Sequence, residues 1–524
     1  MKRTAAVLLA LFLLSFTHEA RAFCGFYVSG SDGPLVNNAT QVVLMRDGMR
    51  TVLSMQNNYQ GPPADFAMVV PVPVVLQKEN VKTLPRDVFD KVDKLDAPRL
   101  VEYWEQDPCA PPMPEEVLMA APGMMKESDD DSSSKRKDHG VKIEAKFSVG
   151  EYDIVILSAK DSGGLDAWLR EEKYKIPAGS EPLLRPYVQR GSKFFVAKID
   201  AKKVRFVGNS TMLSPLRFHY DSQEFSLPIR LGLVNAGGAQ DLVVHVLAKG
   251  QRYEVANYPN VAVPTNLEVS DATRQQFPAF YAALFDRVLA KNPKAIVTEY
   301  AWQAGSCDPC PIPPLDVDAL AVLGADVLPS VGDSEDNYSL AGAFVLTRLH
   351  ARYTKESLGA DLVFRAARGI VGGREHVVEP ATGKLERGAV ASEENNFQAR
   401  YIIRHRWEGP IACANPVRNV WGGPPGQGGG RRGRNTNNEQ PQAAQNLAFA
   451  PRGKVQLATF IREDSPELDV KATPPSQGDP PLGVVVPPAT HSCGCNLGPS
   501  PATASLAALL LPIAALVVRR RRQR

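Results

Sequence analysis

The sequence predicts an α+β fold: a β-rich mixed ectodomain with an internal duplication, followed by disordered linkers and one C-terminal transmembrane helix. Runs of β-branched and aromatic residues, bounded by turn residues, recur along residues 23–420. Amphipathic helix patterns interrupt these runs. Of the 524 residues, 44% are hydrophobic and 22% are charged, as is typical of a globular protein with two or three domains.

The N-terminus has the parts of a secretory signal peptide. Residues 1–22 read MKRTAAVLLALFLLSFTHEARA, with a positive start, an apolar run and small residues at positions −3 and −1 of a cleavage site. The apolar run is too short for an N-terminal membrane helix. We therefore expect export and cleavage between Ala22 and Phe23.

The strands and helices of the body follow from local patterns. Asp47-Gly48 between two β-rich runs predicts a hairpin. The run at 65–75 is predicted to be an edge strand or the exit from one, because Pro71 and Pro73 cannot donate to a ladder. Helices are predicted at 84–94, after residue 161, near 180–191 and at 272–291, and strands at 151–159, 192–200, 225–234, 241–248, 341–349, 360–367 and 397–406.

Four segments read as breaks or connections. A charged, serine-rich stretch at about 122–140 is predicted to be a disordered loop. The glycine-rich stretch 421–453 reads as a flexible linker, and 464–492 as a proline-rich stalk. Residues 454–463, between linker and stalk, are predicted to add one short strand.

A weak repeat relates residues 84–114 to residues 280–314. Both segments keep the order FD-x-V, EY, DPC, PP. The matched residues are Phe89 with Phe285, Glu102-Tyr103 with Glu299-Tyr300, and Cys109 with Cys310. This order favours a duplicated unit over chance similarity.

Five cysteines lie in the body and are disulfide candidates: Cys24, Cys109, Cys307, Cys310 and Cys413. An exported protein permits disulfides, and an odd number leaves one thiol over. Because Cys109 and Cys310 are equivalent in the repeat, we predict the pairs Cys24–Cys109 and Cys310–Cys413, with Cys307 spare.

The CDPC motif at 307–310 has three interpretations: a structural loop, a dithiol–disulfide redox centre or part of a metal site. A redox cysteine normally begins a helix, which lowers its pKa. Pro311, Pro313 and Pro314 would break such a helix, so the sequence favours the structural role. No second CxxC or paired histidine completes a zinc site.

The charge and the absence of two catalytic motifs argue against several classes of protein. The net charge of +3 includes +2 from residues 1–22 and +5 from the last six residues, so the body carries −4. A mildly acidic body argues against nucleic-acid binding. The sequence has neither HExxH nor GxSxG, and we predict no catalytic, cofactor-binding or metal-binding residue.

Residues 493–524 combine Cys493-Gly494-Cys495, an apolar run at 502–518 and an arginine cluster. The 17-residue run spans about 25 Å as a helix, enough for a thin bilayer, and the arginines would stay in the cytoplasm. A buried core helix is the alternative. The order resembles the MYXO-CTERM sorting signal of myxobacterial surface proteins, which implies cleavage by an intramembrane sorting protease, delivery to the cell surface and modification of Cys493 or Cys495.

The body resembles the domain-of-unknown-function 2330 family of exported bacterial proteins. The resemblance lies in YQGPPADFAMVVPVP at 59–73, EYDIVILSAKDSGGLDAWLREEKYKIP at 151–177 and FSLPIRL at 225–231. It covers roughly residues 23–315 and implies no catalytic residues.

These observations predict a surface-anchored exported protein that binds or scaffolds an envelope or extracellular ligand and is not an enzyme. Two alternatives remain open: an anchored hydrolase with an unrecognised site, and a thiol–disulfide protein that uses CDPC. The partners expected are the membrane, through the tail, and the sorting protease. We expect the outer surface of the cell envelope as the location, with the inner membrane and a periplasmic body as the alternative.

Overall fold

A computed structural model describes residues 26–29, 36–60, 66–109 and 141–472, with gaps at 173, 175, 177–178, 201, 208–209, 236–238, 332–336, 355, 375–384, 425–441 and 444–454. All of them belong to one unit, residues 1–477. No helix within these ranges is long and apolar enough to cross a membrane. The predicted signal peptide, the loop at about 122–140, Cys24 and the tail at 493–524 lie outside the described residues.

The β-rich α+β class is confirmed. The described residues form the strands β1 Phe26–Ser29, β2 Val36–Asp47, β3 Arg50–Gln60, β4 Phe66–Val72, β5 Val81–Thr83, β6 Arg99–Glu105, β7 Val141–Val149, β8 Tyr152–Ala159, β9 Lys193–Ile199, β10 Arg205–Val207, β11 Ser210–Met212, β12 Leu216–Asp221, β13 Ser226–Leu227, β14 Gln240–Lys249, β15 Arg252–Val255, β16 Asn260–Ala262, β17 Leu267–Glu268, β18 Ile296–Gln303, β19 Phe344–Tyr353, β20 Leu362–Ala367, β21 Ile370–Gly372, β22 Val390–Ala391, β23 Asn396–Gln398, β24 Arg400–His405, β25 Trp421–Gly422 and β26 Gln442–Ala443.

The α-helices of the described residues are α1 Asp87–Asp96, α2 Ser162–Glu171, α3 Glu181–Gln189, α4 Thr273–Lys291, α5 Val317–Leu323 and α6 Asn337–Ala343. Short 3₁₀ helices lie at Lys78–Asn80, Arg230–Asn235, Ala325–Val327, Leu457–Thr459 and Pro466–Leu468. The helices predicted at 84–94, after residue 161, near 180–191 and at 272–291 are thereby confirmed.

Two sheets pack face to face in the centre of the molecule. The core sheet has the order β22-β21-β23-β18-β19-β14-β2-β3-β12-β5, with β16 beside β18. The outer sheet has the order β1-β4-β9-β8-β7. Apolar side chains of both inner faces, such as Leu44, Val244, Met68 and Phe195, share one buried cluster. Strand alternation therefore places one apolar face of each sheet in a common core.

Helices cover the two faces that point away from this interface. α2 and α3 pack on the outer sheet through Leu165, Trp168 and Leu184. α1 and α5 pack on the core sheet through Phe89, Val92 and Leu320. The result is four layers in the order helix, sheet, sheet, helix.

A third sheet, the side sheet, has the order β17-β24-β6-β25, with β26 also paired to β6. β17, β24 and β6 are parallel. α4 packs on one face, where Phe280 and Phe285 meet Leu100, Tyr401 and Ile403 in a buried cluster. The opposite face of the side sheet carries the candidate site described below.

Both halves of the predicted repeat form a helix followed by a strand. Residues 84–114 contain α1 and β6, and residues 280–314 contain the end of α4 and β18. Each strand places its repeat glutamate next to an arginine and a histidine: Glu102 with Arg274 and His405, and Glu299 with Arg348 and His350. The shared arrangement supports the duplication, which stays a prediction.

The predicted hairpin turn and two predicted strands differ from the structure, and both strands differ at prolines. The hairpin is present, but its two-residue turn is Gly48-Met49, where Gly48 has a φ of 55°. β4 is not an edge strand, because β1 pairs with Phe66–Val69 and Pro71 lies past the end of β1. The strand predicted at 225–234 is wrong beyond Leu227, since Pro228 interrupts it and a 3₁₀ helix follows.

The C-terminal part of the described chain also corrects the predictions. Residues 455–463 form a 3₁₀ turn at Leu457–Thr459 and a single β-bridge from Ile461 to Val269 rather than a strand, because Leu457, Phe460 and Ile461 are buried at helical spacing. The predicted stalk begins inside the folded body: Leu468 is buried against α4, and its carbonyl accepts a hydrogen bond from Arg287. The short strands β25 and β26 lie within the range predicted as a linker.

Candidate binding face

Two disulfides replace the predicted pairing. Cys109 is bonded to Cys413, and Cys307 to Cys310, so the pairs Cys24–Cys109 and Cys310–Cys413 are wrong and Cys307 is not spare. Cys109 follows β6 and Cys413 follows β24, which are neighbouring parallel strands whose carboxyl ends meet. The pairing of β6 with β24 therefore determines the Cys109–Cys413 bond. The equivalence of Cys109 and Cys310 in the predicted repeat carries no information about that pairing.

The CDPC loop is docked on the body through its backbone carbonyls. Arg99 donates to the Pro309 carbonyl, and the Gln398 amide donates to the Asp308 carbonyl. The next helix, α5, begins only at Val317, where Asp316 caps it by accepting from the Ala319 N–H at 2.8 Å. Cys307 is thus not at a helix N-terminus, which supports a structural role for the loop.

We expect the purified full chain to show no turnover as a disulfide reductase or isomerase. The structure gives Cys307 no helix N-terminus that would stabilise its thiolate. Reduction of a model disulfide substrate would be followed with the wild type and with Cys307→Ala. Turnover that disappears in Cys307→Ala would contradict the structural role and favour the thiol–disulfide alternative.

A buried ion network lies where α1 meets the core sheet. Arg348 is fully buried and donates to Asp93 at 2.7 Å, to Asp96 at 2.8 Å and to Glu299 at 2.6 Å. His350 places Nδ1 2.7 Å from Glu299 Oε1 and Nε2 3.1 Å from Asp241 Oδ1. Because carboxylates only accept, both ring nitrogens donate and His350 is an imidazolium.

Part of this network has the donor set of a divalent metal site. Asp93, Asp96 and His245 bring three ligand atoms within 4.8 Å of one another. Nη1 of Arg348 already bonds both aspartates, and His245 Nδ1 bonds Asp96 at 2.6 Å. The guanidinium is therefore the cation that neutralises these carboxylates, and the cluster acts as an internal ion pair.

The network makes stability depend on pH from both sides. Burial acts to raise the pKa of Glu299, but the charges of His350 and Arg348 lower it to about 2 from 4.5. Burial acts to lower the pKa of His350, but the charge of Glu299 and the hydrogen bonds that His350 donates to Asp241 and Glu299 raise it above 6.5. Both ionised forms are thus stabilised by folding.

We expect the free energy of unfolding to be highest between about pH 4.5 and 6.5. The contribution of Glu299 is lost as the pH falls from about 4.5 to about 2, and that of His350 as the pH rises through its raised value. Urea midpoints from pH 2 to 9 measure both limbs. His350→Gln should remove the alkaline limb and also weaken the acid one, because the charge of His350 helps to lower the pKa of Glu299. A flat profile in the wild type would contradict the assignment.

The face of the side sheet that points away from α4 is lined by arginines and aromatic rings. β6 and β24 run in register, so that Arg99 is opposite Arg400 and Tyr103 is opposite Arg404. The members of this arginine–aromatic face are Arg99, Tyr103, Arg400, Arg404, Arg406 and Trp421. The guanidinium carbons of Arg404 and Arg406 lie 5.1 and 5.0 Å from the centre of the Trp421 ring, which holds both cations by cation–π contact.

The loop 406–420 is fixed beside this face. Glu105, which is 1% exposed, accepts the backbone N–H of Asn419 at 2.7 Å, that of Trp407 at 3.1 Å, and Arg418 at 3.0 Å. Burial acts to raise the pKa of Glu105, but these bonds and the nearby arginine charges hold it below its usual value. With the Cys109–Cys413 disulfide, they make the loop a rigid border of the face.

Positive charge exceeds negative charge on the arginine–aromatic face. Arg404 is paired with Glu268 at 3.2 Å. In the part of the chain that the structure describes, no carboxylate oxygen lies within 4.0 Å of Arg99, Arg400 or Arg406. Arg406 is exposed and bonds only the neutral side chain of Asn419, at 2.7 Å. A body with net charge −4 thus carries a local cationic face.

This face was not predicted from the sequence. Of its six residues only Tyr103 stood in a motif, the EY pair of the repeat, and the predicted cysteines Cys109 and Cys413 only border the face. A signal was present in RLVEYWE and RYIIRH, where arginines interrupt otherwise apolar or aromatic strands. An arginine inside an apolar run is unusual, because arginine is rarely fully buried without a partner.

Comparison with known proteins places the chain in a family. The family model described as "Uncharacterized protein conserved in bacteria (DUF2330)" matches residues 18–365, about two thirds of the chain. No curated protein and no solved structure matches. The resemblance of the body is therefore confirmed, whereas the sorting tail stays a prediction. The chain belongs to the DUF2330 family of bacterial proteins.

Proposed function

We propose that the protein is an exported, non-catalytic binding protein of the cell envelope that holds an anionic ligand on its arginine–aromatic face. The observation that carries the proposal is that, among the described residues, no carboxylate oxygen lies within 4.0 Å of Arg99, Arg400 or Arg406 on one sheet face. Guanidinium groups bind carboxylates and phosphates through paired N–H donors, and Arg is enriched at binding hot spots.

The partly open end of the face suits a ligand with repeated negative charges. Arg406 is exposed, Arg404 is half-buried, and Trp421 and Asn419 hold the guanidinium of Arg406 in place. A pre-positioned cation loses less side-chain entropy when it binds. An anionic polymer outside the cell would present such charges in series.

The test is equilibrium binding of the immobilised full chain to alginate, a polycarboxylate, and to polyphosphate, with neutral dextran as reference. We expect at least one polyanion to bind with an affinity that falls as salt rises. The double variant Arg404→Gln/Arg406→Gln should weaken binding at least about fivefold, or about 1 kcal/mol. Arg185→Gln, an exposed arginine of α3, is the matched control.

Binding that is equal for dextran, or equally weakened by Arg185→Gln, would contradict this assignment. Recovery of the polymer at its original length checks that the protein does not hydrolyse its ligand. Shortened polymer would favour the anchored hydrolase instead.

The location is proposed from the sequence of both ends. The signal at 1–22 supports export, and the tail supports retention at the envelope by a sorting protease and a lipid on Cys493 or Cys495. Intact mass spectrometry of the native protein should show the loss of residues 519–522 and an added lipid mass. A mass that retains these arginines without lipid would favour the inner-membrane alternative.

A further inference from the structure

We propose that Arg99 and Arg400 form a binding site for a single oxyanion, the carboxylate or phosphate group of a ligand, beneath the Cys307–Cys310 loop. The site lies at the closed end of the arginine–aromatic face, so this inference rests on the proposed function and names the group that the face recognises.

The two guanidinium groups are like charges on neighbouring strands. Arg99 and Arg400 are directly opposed on neighbouring strands, and both side chains have 0% exposure. Like charges opposite each other destabilise a sheet, and burial strengthens their repulsion. Burial lowers the pKa of Arg99, and the charge of Arg400 adds to that effect.

Within the described chain, neither arginine has a carboxylate partner within 4.0 Å. Arg99 donates hydrogen bonds to the carbonyls of Leu95, at 2.6 Å, and Pro309, and its guanidinium carbon lies 5.7 Å from the centre of the Tyr300 ring. Asp96 and Asp308 influence Arg99 through their charge, but neither is within 4.0 Å of it. Its Nε is buried and has no hydrogen-bond acceptor among the residues that the structure describes.

Arg400 also bonds only neutral acceptors: Asn266 at 2.9 Å, the Tyr103 hydroxyl at 3.0 Å and the Arg374 carbonyl at 2.7 Å. A guanidinium has five N–H donors. The two side chains therefore keep half of their donors unused in a place that water does not reach.

Arg348 shows how this protein accommodates another buried arginine. That side chain is equally buried, yet it has three carboxylate partners. The same fold thus gives one buried arginine three carboxylate partners, although its Nη2 has no hydrogen-bond partner among the described residues, and places no described carboxylate within 4.0 Å of two adjacent ones. Uncompensated buried charge opposes folding, so its retention at a directly opposed pair indicates that an anion completes the site.

Two neutral groups lie over the guanidinium groups and form the cover of the site. The Pro309 carbonyl lies on Arg99, and the Tyr103 hydroxyl lies on Arg400. Asp308 and Tyr103 are half-buried and Cys310 is exposed, so this cover borders solvent. An oxyanion is a stronger acceptor than a neutral carbonyl or hydroxyl, and it would replace both on the guanidinium groups.

The experiment measures the thermal unfolding midpoint of the full chain in chloride, phosphate and acetate at about 10 mM and matched ionic strength. At least one oxyanion is expected to raise the midpoint by about 2 °C or more over chloride. Phosphate and acetate distinguish a phosphate group from a carboxylate. The rise should fall by at least half in Arg99→Met and Arg400→Met and persist in Arg185→Gln.

A wild type that responds to neither oxyanion, or an equal rise in Arg99→Met, would overturn the inference. If Arg99→Met does not fold, Arg99→Lys is decided by the same criterion, since it keeps the charge but loses the fork of donors. If no polyanion binds but an oxyanion still raises the unfolding midpoint, only the proposed function is contradicted. If a polyanion binds but no oxyanion raises the midpoint, only this site is contradicted.

Discussion

Replacing Arg348 by methionine is expected to lower the free energy of unfolding by about 3–5 kcal/mol. The substitution leaves Asp93, Asp96 and Glu299 as neighbouring carboxylates at a site where all three are buried. Each would lose its guanidinium partner, and their mutual repulsion would act in a medium of low dielectric constant. Protonation of one or two carboxylates would reduce the loss at acid pH.

Urea unfolding of the full chain at pH 6 measures this change. The matched control is Arg185→Met, which removes an exposed pair with Glu181 and should leave the urea midpoint nearly unchanged. A loss below about 1 kcal/mol in Arg348→Met would show that the carboxylates find other partners, and that the network does not hold α1 on the core sheet.

Loss of the Cys109–Cys413 disulfide is the second large effect. The bond joins residues 304 positions apart, whereas the Cys307–Cys310 bond spans 3. In the loop-entropy account, the long loop contributes more than about 4 kcal/mol and the short loop about 2 kcal/mol. We expect Cys109→Ala/Cys413→Ala to destabilise the chain more than Cys307→Ala/Cys310→Ala.

The two double variants control for each other, because each removes one disulfide. Urea unfolding under non-reducing conditions compares them. The Cys109→Ala/Cys413→Ala variant should also bind polyanions less tightly, since the loop that carries Arg406 loses its covalent closure. An equal or reversed order of stability would contradict the prediction.

Local elements of the fold were predictable because their signals are local. Val88, Val92 and Leu95 at helical spacing correctly predicted α1, and the apolar run at 151–159 correctly predicted β8. Failures occurred where a local pattern was ambiguous. Leu457, Phe460 and Ile461 look apolar enough for a strand, but their spacing is that of a helical turn.

Pairing between distant segments could not be predicted. The side sheet joins β6 to β24 across about 300 residues, and no periodicity within either strand specifies that partner. The same gap explains the wrong disulfides, since equivalent positions in a predicted repeat, such as Cys109 and Cys310, do not indicate which cysteines are in contact. The repeat did draw attention to Glu102 and Glu299, which have matching arginine and histidine partners.

The candidate site was missed for a related reason. Arg99 and Arg400 read as ordinary strand residues, and only the tertiary structure places them opposite each other without carboxylates. The charge of the whole body is negative, which hid a cationic face in the average. A search for arginines inside apolar strands would have found both.

The most direct test of the central claim, that the arginine–aromatic face binds anions, is diffraction from crystals of the full chain soaked in phosphate. The account predicts phosphate within hydrogen-bond distance, about 2.7–3.0 Å, of Arg99 and Arg400. It also predicts that Arg99 has left the Pro309 carbonyl. Phosphate bound only elsewhere, with Arg99 still on that carbonyl, would contradict it.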